Sequence, residues 1–425
     1  MNQIIKYLLV AILSIALTIF YLDQHAPIIV EVPEKTSQRM SIEFSKEIER
    51  RQLQKIEKKA KNVIVLIGDG MGINQITAYK IAKGGPNYST AFDRFPFTGL
   101  VKVHSFDNLI TDSAASATAF SSGIKTKNRY LGVDSNGNDV ELITEILLRK
   151  GFITGLVATS EITHATPAGF AIHNISRYNT DEIAKSMYES KNHILMGGGK
   201  DFFMPESKGG QREDEINLLD MINNDGIYLD SKEALMSFDG GASKRILGLF
   251  SKEGLIRSED EPSLLDMFKF TLDQSKKMVD QNGCSGFFIM AEGSQIDWAG
   301  HENDFDYQYK EMDEFHDVVS HALEFVQSRD DTLLIVLSDH ETGGLLIEMD
   351  ELRRKPSSSM LVSWNTALEE GTHTGTMIPA FSYGPGAINF TGVIDNTDVF
   401  FSLKEAIGTS EIPDKECNLN LEQER

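Results

Sequence analysis

The stretch Val63-Ile64-Val65-Leu66-Ile67-Gly68-Asp69-Gly70 decides the fold. Five consecutive apolar residues, mostly β-branched, suit a strand buried on both faces. The run ends by delivering a carboxylate, Asp69. Three other runs repeat the pattern. Ile153-Thr154-Gly155-Leu156-Val157-Ala158 leads into Thr159-Ser160-Glu161-Ile162-Thr163-His164. Phe287-Phe288-Ile289-Met290 leads into Ala291-Glu292-Gly293, and Leu333-Leu334-Ile335-Val336-Leu337 leads into Ser338-Asp339-His340. Short apolar runs alternate with amphipathic stretches from residue 62 onward. That pattern predicts an α/β fold with a large, mostly parallel central sheet flanked by helices on both faces.

Ligands of open α/β sheets bind at the carboxyl ends of the strands. Four strands that deliver acids and imidazoles to one edge therefore make one polar site. Acids also cap helices, which explains one such ending but is a poor account of all four. The donors in hand are oxygen and imidazole nitrogen, the ligands of a two-metal centre. The candidates are Asp69, Asp297, His301, Asp339, His340 and His373. Asp297 and His301 stand four residues apart and share one face of a helical turn. His373 lies just before an apolar run from Met377 to Phe381.

Ser113 opens the Ala-rich stretch Asp112-Ser113-Ala114-Ala115-Ser116-Ala117-Thr118-Ala119, with Asp112 as its helix N-cap. A serine in a first helical turn sits where backbone N–H groups favour a phosphate. No histidine is close to it in sequence, so a metal is the expected activator. Arg177 supplies a fork for two phosphate oxygens. An ordinary capped helix and a surface arginine are the plain alternatives for these two residues taken singly.

With 425 residues the chain is long enough for one large domain. Its net charge is −22. Residues 1–61 carry +3 and the remainder −25. So acidic a body repels nucleic acid at long range and needs local positive charge wherever it binds an anion. The two cysteines, Cys284 and Cys417, can pair at most once. They exclude a structural zinc site made of four cysteines. Gly68, Gly70 and Gly72 have the wrong spacing for a dinucleotide fingerprint.

In these residues the chain resembles the alkaline phosphatase family. The shared motifs run in family order from about residue 62 to about 386. They are Gly68-Asp69-Gly70-Met71-Gly72, the Asp112–Ala119 stretch, His164-Ala165-Thr166-Pro167 and Arg177. Then come Glu292-Gly293-Ser294-Gln295-Ile296-Asp297-Trp298-Ala299-Gly300-His301, Asp339-His340-Glu341-Thr342-Gly343-Gly344 and His373-Thr374-Gly375. The resemblance implies hydrolysis of phosphate monoesters with Ser113 as nucleophile, through a phosphoserine. It implies two zinc ions and one magnesium ion per subunit. Asp297, His301 and His373 would hold one zinc. Asp339 and His340, with Asp69 bridging, would hold the other. Asp69, Thr166 and Glu292 would hold the magnesium. Arg177, positioned by Asp112, would clamp the phosphoryl oxygens. It also implies small phosphomonoesters and inorganic phosphate as ligands, and a homodimer. His164 and Trp298 stand where enteric members carry Asp and Lys, so His164 is expected behind the magnesium, acting through water. The two disulfides of the enteric members cannot both exist here. The segment 348–371 is a short version of the family's crown insertion.

Residues 7–22 are apolar except for Ser14 and Thr18, with Lys6 before them and Asp23, Glu31 and Glu34 after. This pattern predicts an extracytoplasmic body. Two readings stand for residues 1–22, a cleaved signal peptide and a membrane anchor. Residues 23–61 are expected to form a charged spacer, helical or partly flexible, and 62–425 the catalytic domain. The rival functions are a phosphodiesterase or sulfatase of the same superfamily, and a non-catalytic phosphate-binding surface protein.

Overall fold

The computed structural model describes residues 48, 50–241, 244–348, 360–367, 370–415, 417 and 419. The apolar run at 7–22 and most of the expected spacer lie outside them. No helix among the described residues is long and apolar enough to cross a membrane.

The strands are β1 (Asn62–Gly68), β2 (Phe97–Lys102), β3 (Phe152–Glu161), β4 (Ile194–Gly198), β5 (Gly226–Leu229), β6 (Arg245–Leu249), β7 (Gly286–Gly293), β8 (Thr332–Leu337), β9 (Glu341–Thr342), β10 (Leu346–Glu348), β11 (Leu361–Ser363), β12 (His373–Thr374), β13 (Ile378–Tyr383) and β14 (Gly392–Asp395). Ten of them form one sheet in the order β14-β2-β13-β8-β1-β7-β3-β4-β6-β5. Only β13 runs against the rest, antiparallel to both β8 and β2. The four strands singled out by their endings, β8, β1, β7 and β3, are consecutive neighbours. Their register is level: Ile67 pairs with Glu292 and with Leu337, and Glu292 pairs with Ala158. The four polar endings therefore meet at one edge.

Every residue of β1 is buried. Val63, Val65 and Ile67 enter the core on one face of the sheet, and Ile64 and Leu66 the core on the other. This is the period-two alternation of a strand with both faces covered. Ala114, Ala117 and Phe120 of helix Ser113–Ser122 and Val399, Leu403 and Ile407 of helix Asn396–Ile407 pack on the first face. Met267, Phe268 and Leu272 of helix Leu264–Asn282 and Met312, Phe315 and Val319 of helix Phe305–Gln327 pack on the second. These positions recur at helical spacing. Losing one such Leu or Ile to Ala costs about 2–5 kcal/mol.

The described end of the spacer departs from the helical reading. Residues 50–61 contain no helix, and the compact body begins at Ile48 rather than at residue 62. Arg50 donates to Gly123 O at 2.9 Å and stacks 4.0 Å above the Phe401 ring. Arg51 donates to Thr391 O at 2.8 Å, and the backbone of Gln54 exchanges two bonds with the Asn389 amide. Satisfying these backbone and side-chain groups against the body replaces the helix's own ladder. The sparse apolar positions of the segment supply no stripe to hold a helix in place. Cys284 and Cys417 form a disulfide. The crown segment, where described, is the ribbon β10–β11, with Ile347 opposite Val362.

Candidate active site

Beyond β1 the chain turns sharply. Gly70 has φ 72°, and a Cβ there would lie 2.8 Å from Asp297 Cα. Only glycine fits that turn. Gly70 N donates to Asp339 Oδ1 (3.2 Å), and Met71 N donates to Ser338 Oγ (2.9 Å), so the ends of β1 and β8 are tied together. Asp69, Glu292, Asp339 and His340 are each fully buried. Both carboxylate oxygens of Asp69, Glu292 Oε1 and Thr166 Oγ1 have no hydrogen-bond partner. Buried polar atoms are almost always paired. A cluster of unpaired acceptors at one point is the signature of a cation site.

Three groups of ligand atoms, each within 4.8 Å of one another, lie at this edge: Asp69/Asp339/His340, Asp297/His340/His373 and Asp69/His164/Glu292. His340 bridges the first two. Its Nε2 is 3.1 Å from Asp339 Oδ2 and 3.5 Å from Asp69 Oδ1, and its ring stacks on His373 with centroids 3.6 Å apart. His301 completes the second group, since its Nε2 is 3.2 Å from His373 Nε2 and 3.3 Å from Asp297 Oδ2. Helix Gln295–His301 puts Asp297 and His301 on one face, as their spacing predicts. The far nitrogens are anchored: His301 Nδ1 to Gly371 O (2.6 Å) and His373 Nδ1 to Thr111 O (3.0 Å). Each carbonyl takes the N–H and leaves Nε2 as the ligand atom.

Charge accounts for the titration of the group. Burial, then the charges of Asp339, Asp297 and Glu292, raise Asp69 well above the carboxylate range. Burial pushes Glu292 up to about 7. Burial also works on Asp297, but the hydrogen bond from His301 and the charges of His373 and His340 hold it well below the usual range. His301 is raised to about 9 by its bond to Asp297. His373 is lowered to about 4 by burial and by His340. Bound divalent cations relieve this repulsion, and metal ligands of this kind must be unprotonated.

Ser113 is the first residue of its helix. Asp112 caps it, with Oδ1 accepting from Ala115 N at 3.0 Å. Ser113 Oγ is 3.2 Å from His340 Nε2, 227 residues away. The serine thus stands against the Asp69/Asp339/His340 group. Arg177 Nη1 donates to Asp112 Oδ2 at 3.4 Å, which agrees with the expected positioning. Its Nη2 meets His164 Nε2 at 2.9 Å, a contact not foreseen. A guanidinium only donates, so the proton of neutral His164 sits on Nδ1. Burial and Arg177 lower His164 to about 3, which keeps it neutral. While that bond holds, His164 is a donor beside Asp69 and Glu292 rather than a ligand. Trp298 packs edge-on to His164, with centroids 6.3 Å apart.

Some members of the site carried no sequence assignment. Thr342 Oγ1 donates to Asp297 Oδ1 and lies 3.2 Å from His340 Nδ1. Ser294 Oγ donates to Glu292 Oε2 at 2.8 Å. Both stand inside quoted motifs, and their hydroxyls were the available signal. The Thr111 and Gly371 carbonyls left no trace in side-chain identity.

A parallel sheet whose carboxyl edge gathers a helix-start serine, an arginine fork and adjoining oxygen/nitrogen cation sites defines a metal-binding hydrolase of phosphate esters. The sequence profile described as Alkaline phosphatase matches residues 60–362, and the chain belongs to the alkaline phosphatase family. Alkaline phosphatase 4 of Bacillus subtilis (strain 168) is 35% identical over 416 residues, covering 80% of this chain and 87% of that protein. The alkaline phosphatase of the Antarctic bacterium TAB5 matches with a TM-score of 0.74 and 36% identity, covering 83% of this chain and 99% of that one. A variant of that enzyme, with one histidine replaced by aspartate and Mg bound in its M3 site, matches at a TM-score of 0.69 and 34% identity over the same shares. The chain is a metal-binding phosphomonoesterase that hydrolyses phosphate monoesters.

Proposed function

We propose that this enzyme works through a phosphoserine at Ser113, with two zinc ions and one magnesium ion per subunit. Asp69, Asp339 and His340 hold one zinc, and Asp297, His301 and His373 the other. Asp69, Glu292 and Thr166 hold the magnesium, with His164 behind it. The observation that carries the reading is the cluster of buried, unpaired carboxylate oxygens around His340, whose Nε2 lies 3.2 Å from Ser113 Oγ. When bound, the ions supply Lewis-acid stabilisation of developing oxyanions and lower the pKa of the oxygens they contact. Arg177 binds two non-bridging phosphoryl oxygens, and Asp112 holds its guanidinium in place. Ser113 Oγ attacks phosphorus, and the bond to the leaving alcohol breaks. Water then cleaves the serine phosphate, releasing inorganic phosphate and restoring Ser113. Magnesium in the Antarctic variant supports the third ion. The protein acts outside the cytoplasm as a homodimer, secreted or tethered through residues 7–22. The Cys284–Cys417 disulfide supports an oxidising compartment.

A second reading makes His340 a general base toward Ser113, favoured by their 3.2 Å separation. Against it, the same nitrogen already faces Asp339 and Asp69. Chelation separates the two: metal-free protein should be inactive and recover with zinc plus magnesium, whereas hydrolysis that survives chelation favours the base. Acid quench with a radiolabelled monoester should leave label on Ser113. Ser113→Ala should lose that label and at least about a thousandfold in kcat/KM, and full activity in that variant would overturn the assignment.

A further inference from the structure

The cavity above Ser113 measures about 560 Å³. That volume falls within the range of sites for drug-sized ligands, far more than a phosphoryl group fills. Its lining includes the aromatic rings of Tyr178, Phe202 and Trp298, together with Arg129. Tyr178 follows Arg177 directly and is 66% exposed. Nothing in the core requires an aromatic ring there. The Arg129 guanidinium lies over the Tyr178 ring, 5.6 Å from its centre. A cation on one face of an aromatic ring holds it in place and leaves the opposite face for a ligand.

This lining is built rather than incidental. Arg129 has φ 75°, a left-handed conformation that a side chain seldom adopts. Two bonds to the catalytic pair hold it there: its N–H donates to Asp112 Oδ2 at 2.9 Å, and its carbonyl accepts from Arg177 N at 2.9 Å. Strain of this kind persists only where the surroundings impose it. On the other side, Arg212 is fully buried. Its Nη1 donates to Phe202 O at 3.1 Å and to Asp181 O at 2.8 Å. One buried guanidinium therefore ties the Phe202 turn to the segment that follows Tyr178.

We infer that Tyr178 and Phe202 form a leaving-group subsite for planar aromatic groups, which makes nucleoside monophosphates the preferred class of monoester. The inference rests on the phosphomonoesterase reading. Base–aromatic stacking contributes about 1–3 kcal/mol, equivalent to between about fivefold and about a hundredfold in specificity.

The test compares adenosine 5′-monophosphate with ribose 5-phosphate on the metal-loaded enzyme. The two release a primary alcohol of the same kind and differ at the base. The ratio of their kcat/KM values should be at least about fivefold in favour of the nucleotide. It should fall toward one in Tyr178→Ala and in Phe202→Ala, through KM for the nucleotide, and be retained in Tyr178→Phe. A ratio near one in the parent enzyme, or an unchanged ratio in both alanine variants, overturns the subsite. Failure to hydrolyse either ester would instead overturn the phosphomonoesterase reading.

Discussion

The two ends of strand β1 are built from similar materials to opposite effect. At the amino end, Asn62 is 3% exposed, and its side chain donates to Thr332 Oγ1 and accepts from Phe287 N, both at 3.2 Å. At the carboxyl end, Asp69 is fully buried and neither of its oxygens has a hydrogen-bond partner. The first polar group is satisfied within the protein and locks β1 to β7 and β8. The second, on the same strand between the same neighbours, is held unsatisfied. One end of the sheet contributes stability, and the other carries a destabilising cluster of carboxylates that a bound cation or protonation relieves.

The largest effect should come from Asp69→Asn. Loss of a ligand shared by two groups should lower kcat/KM by more than about a hundredfold and reduce the metal content measured after dialysis. The metal-free variant should nevertheless melt at a higher temperature than the metal-free parent, because the cost of burying that carboxylate among other acids is gone. A lower melting temperature would break the contrast between the two ends.

Next in size is a pH effect at Glu292. In metal-free protein its folded-state pKa, about 7, lies above the ordinary 4.5. The fold then keeps a proton that the unfolded chain has released, so stability falls as pH rises from 4.5 to about 7 and is level beyond. Glu292→Gln should remove the share of that slope that Glu292 carries, leaving the share of Asp69. It should stabilise the metal-free protein more above pH 7 than below pH 4.5. Denaturant titrations at pH 4.5 and 8 test this, and equal differences at both would refute it.

At the quiet end, Asn62→Ala should cost about 1–3 kcal/mol by removing the acceptor of Phe287 N, with kcat/KM unchanged. A fall in kcat/KM would mean that the two ends are coupled. The smallest effect belongs to the docked strap. Arg50→Ala, which removes the bond to Gly123 O and the stack on Phe401, should cost about 1 kcal/mol. No loss of stability would mean that residues 50–61 merely rest on the body.

Much of the fold was legible because burial on both faces writes itself locally. Val63 to Ile67 and Leu333 to Leu337 are apolar throughout, and the acid after each marks the strand's end. Ser113 was legible from its Asp112 cap, and Asp297 with His301 from their spacing. The Thr342 and Ser294 hydroxyls and the Arg177–His164 bond were not. Each is a polar contact whose partner is chosen by tertiary position, and a hydroxyl or guanidinium has the same local pattern whether or not it is used. The strap failed for a related reason. Its charged sequence allows a helix, but contacts with Gly123, Asn389, Thr391 and Phe401 satisfied it without one.

The sequence alone therefore determined the strands, the edge on which acids and imidazoles collect, and Ser113 at the start of its helix. These depend on hydrophobic period and capping, which act over a few residues. Tertiary structure decided which donors share a point in space, that His340 lies against Ser113 across 227 residues, and that Cys284 pairs with Cys417. It also decided that neither Asp69 carboxylate oxygen has a hydrogen-bond partner while the Asn62 side chain has two. Those outcomes depend on strand order and register, which place side chains from distant segments within a few ångströms, and no local pattern encodes them.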